Sequence, residues 1–286
     1  MRAYTGADSL RGGGFHMSAW DLYDELIDAI PRDITVVRAA QGPRWTRIYT
    51  NNPSCGIALT MSASSRPAQM MDDYVGIPVR AIAQLSKSWN FSEASFGLAA
   101  LNSYYSTASV AAEHGFVIDP AGAAAVSSGG SAAAGVSWDR VFSPFSERVT
   151  GKKVAVIGHF PFAPKALHSA AEFYMLERQL NEGDYPDSAA EYLLPECDFV
   201  FISGSAFVNK TAPRLIELSR QAQTILLGPS TPLAPVLLEE YGVDQIDGVV
   251  SDKPLATFEA LGEEDNVSSW ANGHIVERGA GVALSR

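Results

Sequence analysis

Five short apolar runs in the second half of the chain constrain its fold most strongly. Stretches with helical patterns separate them, and the runs read "KVAVIG", "EFYMLE", "CDFVFISG", "QTILLG" and "IDGVVS". Short apolar runs that alternate with helices are typical of parallel strands covered by helices on both faces of a sheet. The pattern therefore predicts a Rossmann-like α/β domain over residues 151–286.

The first part of the chain predicts a separate α+β domain over residues 18–115. Its first helix begins at Ser18, and Asp21 follows three residues later, as in a capping box. Two further helices are predicted, one with Pro78 at its first position and one capped by Ser92. Between the first helix and these two lie three runs typical of strands, "DITVVRAA", "RWTRIYT" and "CGIALTM".

Two segments read as connections. Residues 1–17 predict a flexible leader, and residues 116–150 predict a linker. Within the linker, residues 121–136 are almost all Ala, Gly and Ser, which offer little apolar surface to bury.

Composition argues against several classes of partner. The net charge of -11 is unfavourable for a nucleic-acid or anionic-membrane surface. The sequence contains no run of about 18 apolar residues, so it predicts no membrane span. The two cysteines, Cys55 and Cys197, lie far apart in the sequence, which favours reduced thiols and a cytoplasmic location. A homodimer through the first domain is compatible with the sequence.

Polar and turn-forming residues follow four of the predicted strands. In an open parallel sheet, ligands bind at the carboxyl ends of the strands. We therefore predict a small-molecule cleft at this edge of the sheet. The residues at the strand ends are Gly158, His159, Phe160, Glu177, Asn209, Thr211, Gly228, Pro229, Ser230 and Thr231.

Glu177 has the most specific position, because it ends the second predicted strand 19 residues after Gly158. An acid at this place in Rossmann-type folds accepts hydrogen bonds from a ribose or another diol. The alternative is a surface glutamate paired with Arg178 or with a lysine. His159 suits proton transfer, with a metal ligand and a packed structural histidine as alternatives.

The remaining strand-end residues suggest polar contacts. Asn209 and Thr211 offer amide and hydroxyl groups, whereas Ser230 and Thr231 suit an anion at the start of the following helix.

The loop after the first strand argues against NAD and FAD. It has one glycine where the dinucleotide fingerprint has three, and Phe160 and Pro161 obstruct close approach of a pyrophosphate. A nucleoside or another heterocyclic ligand is still compatible with this loop. No G-x-S-x-G elbow is present, which argues against a serine hydrolase. The five histidines show no metal-binding spacing, so a divalent metal ion would need a site assembled from distant segments.

Four segments, in this order, resemble the heavy-metal-chelation family: "VAVIGHFPF", "LERQLNEGDYP", "LLPECDFVFISGSAFVNKT" and "LLGPSTPLAP". The resemblance covers residues 153–252 and extends more weakly over residues 18–107. It implies an enolase N-terminal-like domain before the Rossmann-like domain, with a cleft between the two. The site residues that it implies are Gly158, His159, Phe160, Glu177, Asp184, Asn209, Thr211, Gly228, Pro229 and Ser230, with Asn102 facing the cleft from the first domain.

One position departs from the family pattern. The family more often has glycine where this chain has Lys210. If the turn needs a positive φ, lysine costs about 1 kcal/mol there. The alternative is a remodelled loop in which Lys210 offers its charge to an anionic ligand.

These observations favour an enzyme that acts on a small polar molecule, and the family resemblance suggests a metallophore precursor or a pterin- or flavin-like heterocycle. Glu177 would hold a diol or amine, His159 would transfer a proton, and Asn209 with residues 228–231 would bind a carboxylate or phosphate. One alternative is a protein that binds a heavy metal or a metal chelate without turnover. The other is a methyltransferase-like protein that binds S-adenosylmethionine, against which the stiff loop at Phe160 and Pro161 argues.

Overall fold

The computed structural model describes residues 18–63, 66–70, 73–118, 138–263 and 273–279. The predicted leader, residues 1–17, and the Ala-rich segment 121–136 lie outside the described residues. The described chain forms an α/β structure with one antiparallel and one mostly parallel sheet. Within the described ranges, no helix has the length and apolar character needed to cross a membrane.

The first sheet has three antiparallel strands in the order β1-β2-β3. Its strands are β1 Val36–Gln41, β2 Trp45–Thr50 and β3 Cys55–Leu59, and the accompanying helices are α1 Ala19–Asp28, α2 Val79–Ala83, α3 Phe91–Tyr105 and α4 Ala108–Glu113. The predicted capping box of α1 is present at Ser18 and Asp21. Each predicted strand of this domain is confirmed.

Two predicted helix starts are wrong by one or two residues. Helix α3 begins at Phe91, and its cap is Asn90, whose side chain accepts a hydrogen bond from the Glu93 N–H at 3.2 Å. Ser92 instead donates its hydroxyl hydrogen to Gln41, so this side chain is not free to cap the helix. Pro78 is the cap of α2 rather than its first residue. The missing N–H of proline costs no helical hydrogen bond at this position either.

The second sheet has eight strands in the order β4-β11-β10-β9-β8-β5-β6-β7. Its strands are β4 Val117–Ile118, β5 Lys153–Ile157, β6 Glu172–Glu177, β7 Tyr185–Pro186, β8 Phe199–Ser203, β9 Gln223–Leu227, β10 Gln245–Ser251 and β11 Gly273–Gly279. Strands β5 to β10 pair in parallel, and β11 pairs antiparallel with both β10 and β4. The helices of this part are α5 Ala163–Ala166, α6 Ala190–Leu193, α7 Ala212–Leu218, α8 Pro235–Glu239 and α9 Pro254–Glu263.

The five predicted parallel strands are confirmed as β5, β6, β8, β9 and β10. Strand β4 lies inside the segment predicted as a linker, yet it joins the edge of the second sheet by pairing with β11. The chain leaving the first domain therefore contributes to the sheet of the second. The exact domain boundaries stay predictions.

The two domains share one hydrophobic core. Leu22 and Leu26 of α1 belong to the same buried cluster as Val200 and Ile202 of β8. The buried Tyr23 hydroxyl donates a hydrogen bond to the carbonyl oxygen of Phe207 at 2.8 Å, and burial raises the pKa of this tyrosine. This contact area fixes the carboxyl edge of the second sheet beside the end of β3.

Candidate functional site

A cleft of about 710 Å³ lies where strands β5, β6 and β8 end beside the end of β3 from the first domain. Its apolar lining includes Leu59, Met61, Phe91, Ile157, Leu176, Leu215 and Leu218, and its hydroxyl groups come from Thr60, Ser62, Ser188, Ser203, Ser205 and Thr211. Both domains therefore build its wall. The predicted edge of the sheet does carry a cleft.

Four of the predicted site residues line this cleft: Gly158, Glu177, Asn209 and Thr211. Gly158 has a φ of 106°, a conformation that side-chain-bearing residues rarely adopt. A Cβ atom at this position would lie 3.1 Å from the Ser203 Cβ. Glycine thus lets the loop after β5 pass close to the end of β8, which keeps this end of the cleft compact.

Most of the charged side chains that line the cleft form salt bridges with one another. Arg178 pairs with Asp187 at 2.9 Å, and Arg214 makes two contacts with Glu191 at 2.6 and 2.9 Å. Glu177 does not take part in these pairs, and its carboxylate accepts a hydrogen bond from the backbone N–H of Arg178. The alternative of an Arg178–Glu177 ion pair is therefore wrong. Among the described lining residues, Glu177 carries the carboxylate without a salt bridge.

Asn209 and Thr211 form a small hydrogen-bonded turn in the wall of the cleft. The Asn209 side-chain oxygen accepts the Thr211 N–H at 3.1 Å and the Thr211 hydroxyl hydrogen at 2.6 Å. The Thr211 hydroxyl, predicted to contact a ligand, thus donates to its neighbour instead. The amide –NH₂ of Asn209 is the group of this turn that is left to donate.

Lys210, between these two residues, has a φ of 67°. Among the described residues it is the only one other than glycine with a positive φ. Of the two alternatives left open for this position, the turn with a positive φ is therefore present. The amine donates to the carbonyl oxygen of Val208 at 2.8 Å and lies 5.0 Å from the ring centre of Phe91 and 5.9 Å from that of Trp89. Burial lowers the pKa of Lys210 to about 8.

Replacing Lys210 with glycine is expected to raise the free energy of unfolding by about 1 kcal/mol. The left-handed conformation costs an L-residue about 1–2 kcal/mol, and the greater chain entropy of glycine offsets only part of that gain. Urea denaturation measures the change, with Lys210→Met as the control that keeps the strained backbone. A lower denaturation midpoint for the glycine variant than for wild type would contradict the strain argument.

His159, Asp184 and Phe160 do not line the cleft, although His159 directly follows Gly158, which does. The His159 Nδ1 lies 3.1 Å from a carboxylate oxygen of Asp184, whose side chain is 1% exposed. Burial raises the pKa of Asp184, but hydrogen bonds from Asn181 and His159 outweigh it and the pKa falls below its usual value. Phe160 packs against Phe142, with ring centres 5.6 Å apart. These three residues therefore form a His–Asp pair and a packed ring beside the cleft.

The loop 228–231 holds the domains together instead of lining the cleft. The Leu59 N–H at the end of β3 donates to the Ser230 hydroxyl oxygen at 2.9 Å. Thr231 is 1% exposed, and the Gly228 N–H donates to the Asp247 carbonyl oxygen at 3.1 Å. Pro229 is half-buried in the same loop. Ser230 and Thr231 are thus too enclosed to meet the predicted anion.

Asn102, predicted to face the cleft, is fully buried in α3 and does not line it. Its amide donates to the Ile57 carbonyl oxygen at 2.7 Å, which ties α3 to β3. The position is a packing site because α3 lies directly against β3, whose Gly56 leaves no room for a side chain.

Replacing Ser230 with alanine is expected to lower the free energy of unfolding by about 1–2 kcal/mol, because the Leu59 N–H loses its acceptor in a partly buried place. Ser205→Ala is the matched control, since that hydroxyl lies in the cleft and its partner is the neighbouring Ser203 hydroxyl at 2.9 Å. Thermal unfolding compares the two. Equal losses for both variants would contradict an interdomain role for Ser230.

The sequence reasoning missed the contribution of the first domain to the cleft. Leu59, the last residue of β3, and residues 60–63 after it line the cleft, as does Phe91 at the start of α3. The run "CGIALTMSAS" offered a signal, because a strand that opens into Thr60 and Ser62 resembles the strand ends of the second domain. Ser203, the last residue of β8, and Ser205 after it also line the cleft, whereas the residues predicted at this strand end are Asn209 and Thr211.

The donor set of the cleft does not suit a soft heavy-metal ion held by the protein alone. Soft metals prefer thiolate ligands, and both cysteines are buried thiols away from the lining. Burial raises the pKa of Cys55 to about 12 and that of Cys197 to about 11. Within the ranges that the structure describes, no three His, Cys, Asp or Glu side chains are grouped to hold a metal. The Met61 thioether is the soft atom in the lining.

Comparisons with known proteins give a consistent result. Two family models, both described as "Putative heavy-metal chelation", match residues 141–275 and 23–105. A protein of unknown function from Desulfitobacterium hafniense, solved by crystallography, has a TM-score of 0.78 and 35% identity, covering 91% of this chain and 98% of that one. One from Pyrococcus horikoshii has a TM-score of 0.69 and 17% identity, covering 91% and 99%.

A curated sequence relative matches over a shorter stretch. It is an uncharacterized protein from Methanocaldococcus jannaschii, 33% identical over 101 residues, which are 33% of this chain. The match spans 39% of the length of that relative.

Proposed function

The chain belongs to the family described as "Putative heavy-metal chelation", and on that premise we propose that its cleft binds and processes a small organic molecule that carries metal-chelating groups. A metallophore precursor or a pterin- or flavin-like heterocycle has this chemistry. The observation that carries the proposal is that Glu177, without a salt bridge, lines one cleft together with the donor amide of Asn209.

The size and lining of the cleft support a ligand of this kind. Small-molecule sites typically have volumes of about 300–1,000 Å³ and combine apolar walls with a few polar groups. The cleft of about 710 Å³ lies in this range, and Phe91, Leu215 and Leu218 offer apolar surface to a ring system. Glu177 accepts hydrogen bonds from hydroxyl or amino groups of the molecule.

A proton-transfer role for His159 rests on its pairing with Asp184. The carboxylate at 3.1 Å favours the tautomer with hydrogen on Nδ1, which leaves Nε2 as the basic nitrogen. His159 directly follows Gly158, which lines the cleft, and its side chain is 33% exposed. In this proposal His159 transfers a proton to or from the bound molecule, and Asp184 orients its ring.

The metal of the family description enters this proposal through the ligand. Because the cleft offers hydroxyl, amide and carboxylate groups rather than thiolates, the organic molecule supplies most of the donor atoms for a heavy metal. The protein then recognises the molecule, whether free or loaded with metal.

Thermal-shift screening of the full chain tests the proposal. The panel contains pterins, flavin precursors, amino-acid metallophores, S-adenosylmethionine with its homocysteine product, and divalent metal salts. A ligand at 100 times its Kd stabilises a protein by about 2.7 kcal/mol. We expect an organic compound to raise the Tm, and Glu177→Gln to remove the shift. Shifts from metal salts alone would favour direct metal binding, and a panel without any shift would contradict the proposal.

A further inference from the structure

The turn of residues 209–211 carries two hydrogen-bond donor groups: the Asn209 amide, in the lining of the cleft, and the Lys210 amine, which lies beside the lining residue Phe91. A backbone N–H can only donate, so the Asn209 side-chain atom that faces the Thr211 N–H must be the amide oxygen. The Thr211 hydroxyl donates to the same oxygen. Both contacts fix the orientation of the amide, and its –NH₂ group is left to face a ligand.

The amine of Lys210 is the second donor group of this turn. Its hydrogen-bond partner among the described residues is the Val208 carbonyl oxygen, although an ammonium group carries three N–H donors. In the described chain Lys210 forms no ion pair, whereas Arg178 and Arg214 of the cleft are both paired with carboxylates. The residues on either side of Lys210 line the cleft, as does Phe91, whose ring the amine contacts.

We propose that the turn Asn209–Lys210–Thr211 binds an anionic oxygen group of the cleft's ligand, a carboxylate or a phosphate, through the Asn209 amide and the Lys210 ammonium. Thr211 acts as a positioning residue, because it fixes the orientation of that amide. The Lys210 amine turns from the Val208 carbonyl toward the anion. This inference deepens the proposed function and rests on it.

The inference narrows the ligand class. Glu177 in the same cleft accepts hydrogen bonds, so the molecule carries hydroxyl or amino groups toward Glu177 and an anion toward residues 209–211. Amino-acid-derived chelators have both. The strained backbone and the partly buried amine meet at one residue, and strained residues are common at binding sites. Burial alone lowers the pKa of Lys210, and a bound anion would raise it again.

Simple anions test the turn without knowledge of the natural ligand. Citrate and inorganic phosphate are titrated into the full chain at constant ionic strength, and binding is followed by calorimetry and thermal shift. Asn209→Asp keeps the oxygen that Thr211 contacts but removes the –NH₂ donors. Lys210→Met removes the charge at similar length, and Lys210→Arg keeps it. Thr211→Val and Thr211→Ser test the positioning role.

Wild type and Lys210→Arg are expected to bind at least one anion with saturation, citrate for a carboxylate site and phosphate for a phosphate site. Asn209→Asp and Lys210→Met should bind at least about tenfold more weakly. Thr211→Val should weaken binding, and Thr211→Ser should restore it. The inference would be overturned if wild type showed no saturable binding. It would also be overturned if the folded Asn209→Asp and Lys210→Met variants bound the anions as tightly as wild type does.

The organic panel and the simple-anion titrations, run on the same variants, separate this inference from the proposed function. Glu172→Gln, which removes a carboxylate at the opposite end of strand β6 and outside the cleft, should bind the simple anions as wild type does. If an organic compound binds the cleft but the turn variants bind the anions unchanged, the inference fails and the proposed function stands. If the anions bind as expected but the organic panel gives no shift, the proposed function fails instead.

Discussion

Replacing Glu177 with glutamine is expected to weaken binding of the most stabilising organic compound about 100-fold, which is about 2.7 kcal/mol. The carboxylate forms no salt bridge within the described residues, so its charge is available to hydroxyl or amino groups of a ligand. Hydrogen bonds to a charged group contribute about 1.5–3 kcal/mol each, and the neutral amide replaces an acceptor with a donor. Isothermal titration calorimetry measures the Kd of both proteins.

Glu172→Gln is the matched control for this prediction. Glu172 lies at the opposite end of the same strand, β6, and its carboxylate contacts Lys153 at 3.3 Å and the Tyr174 hydroxyl. The control removes the same charge from the same strand and should leave the Kd unchanged. Equal weakening by both substitutions would mean that net charge, rather than contact with Glu177, sets the affinity.

Replacing Gly56 with alanine is expected to lower the free energy of unfolding by about 3 kcal/mol or more, because overpacking of this kind cannot be relieved by a side-chain rotation. A Cβ atom at Gly56 would lie 2.0 Å from the Ala99 carbonyl oxygen and 2.1 Å from the Ser103 backbone nitrogen. Both atoms belong to the backbone of α3, so β3 and α3 would have to separate. Urea denaturation measures the loss.

Gly279→Ala provides the control, because the nearest atom to a Cβ there is 3.8 Å away. This substitution should change the free energy of unfolding by less than about 0.5 kcal/mol. Since Leu59 ends β3 and further lining residues directly follow it, the Gly56 variant should also lose ligand binding. An unchanged denaturation midpoint for Gly56→Ala would contradict the close approach of β3 and α3.

Five of the parallel strands could be predicted because each carries its own short, mostly apolar run between turn-forming residues. Strands β4 and β7 could not, since each has two residues and their signal is too short. Strand β11, "GHIVERG", contains His, Glu and Arg, so its composition resembles a loop until its pairing with β10 is known. The cap of α3 was misplaced because Asn90 and Ser92 are both good caps, and only packing decides between them.

The position of the cleft could be predicted from the carboxyl ends of the strands, which gave Gly158, Glu177, Asn209 and Thr211. The rule says which edge of a sheet binds, but not which part of that edge another domain covers. The end of β3 packs onto residues 228–231, and Ser230 bonds to Leu59 as a result. Residues 228–231 therefore lie at the interface between the domains, which the sequence alone could not indicate.

Lys210 shows where a departure from a family pattern carries information. The sequence left two alternatives, a strained turn or a lysine that offers its charge to a ligand. The structure has the strained turn, with a φ of 67°. The same turn places the amine beside residues that line the cleft, so the second alternative continues as the proposal for anion binding.

The central claim is that the cleft between the end of β3 and strands β5, β6 and β8 is the site of the organic ligand. A crystal structure of the complex with the most stabilising compound of the panel tests it most directly. The account predicts electron density in this cleft, with a hydroxyl or amino group about 3 Å from the Glu177 carboxylate. Density for the compound outside the cleft, with Glu177 in contact with solvent alone, would contradict it.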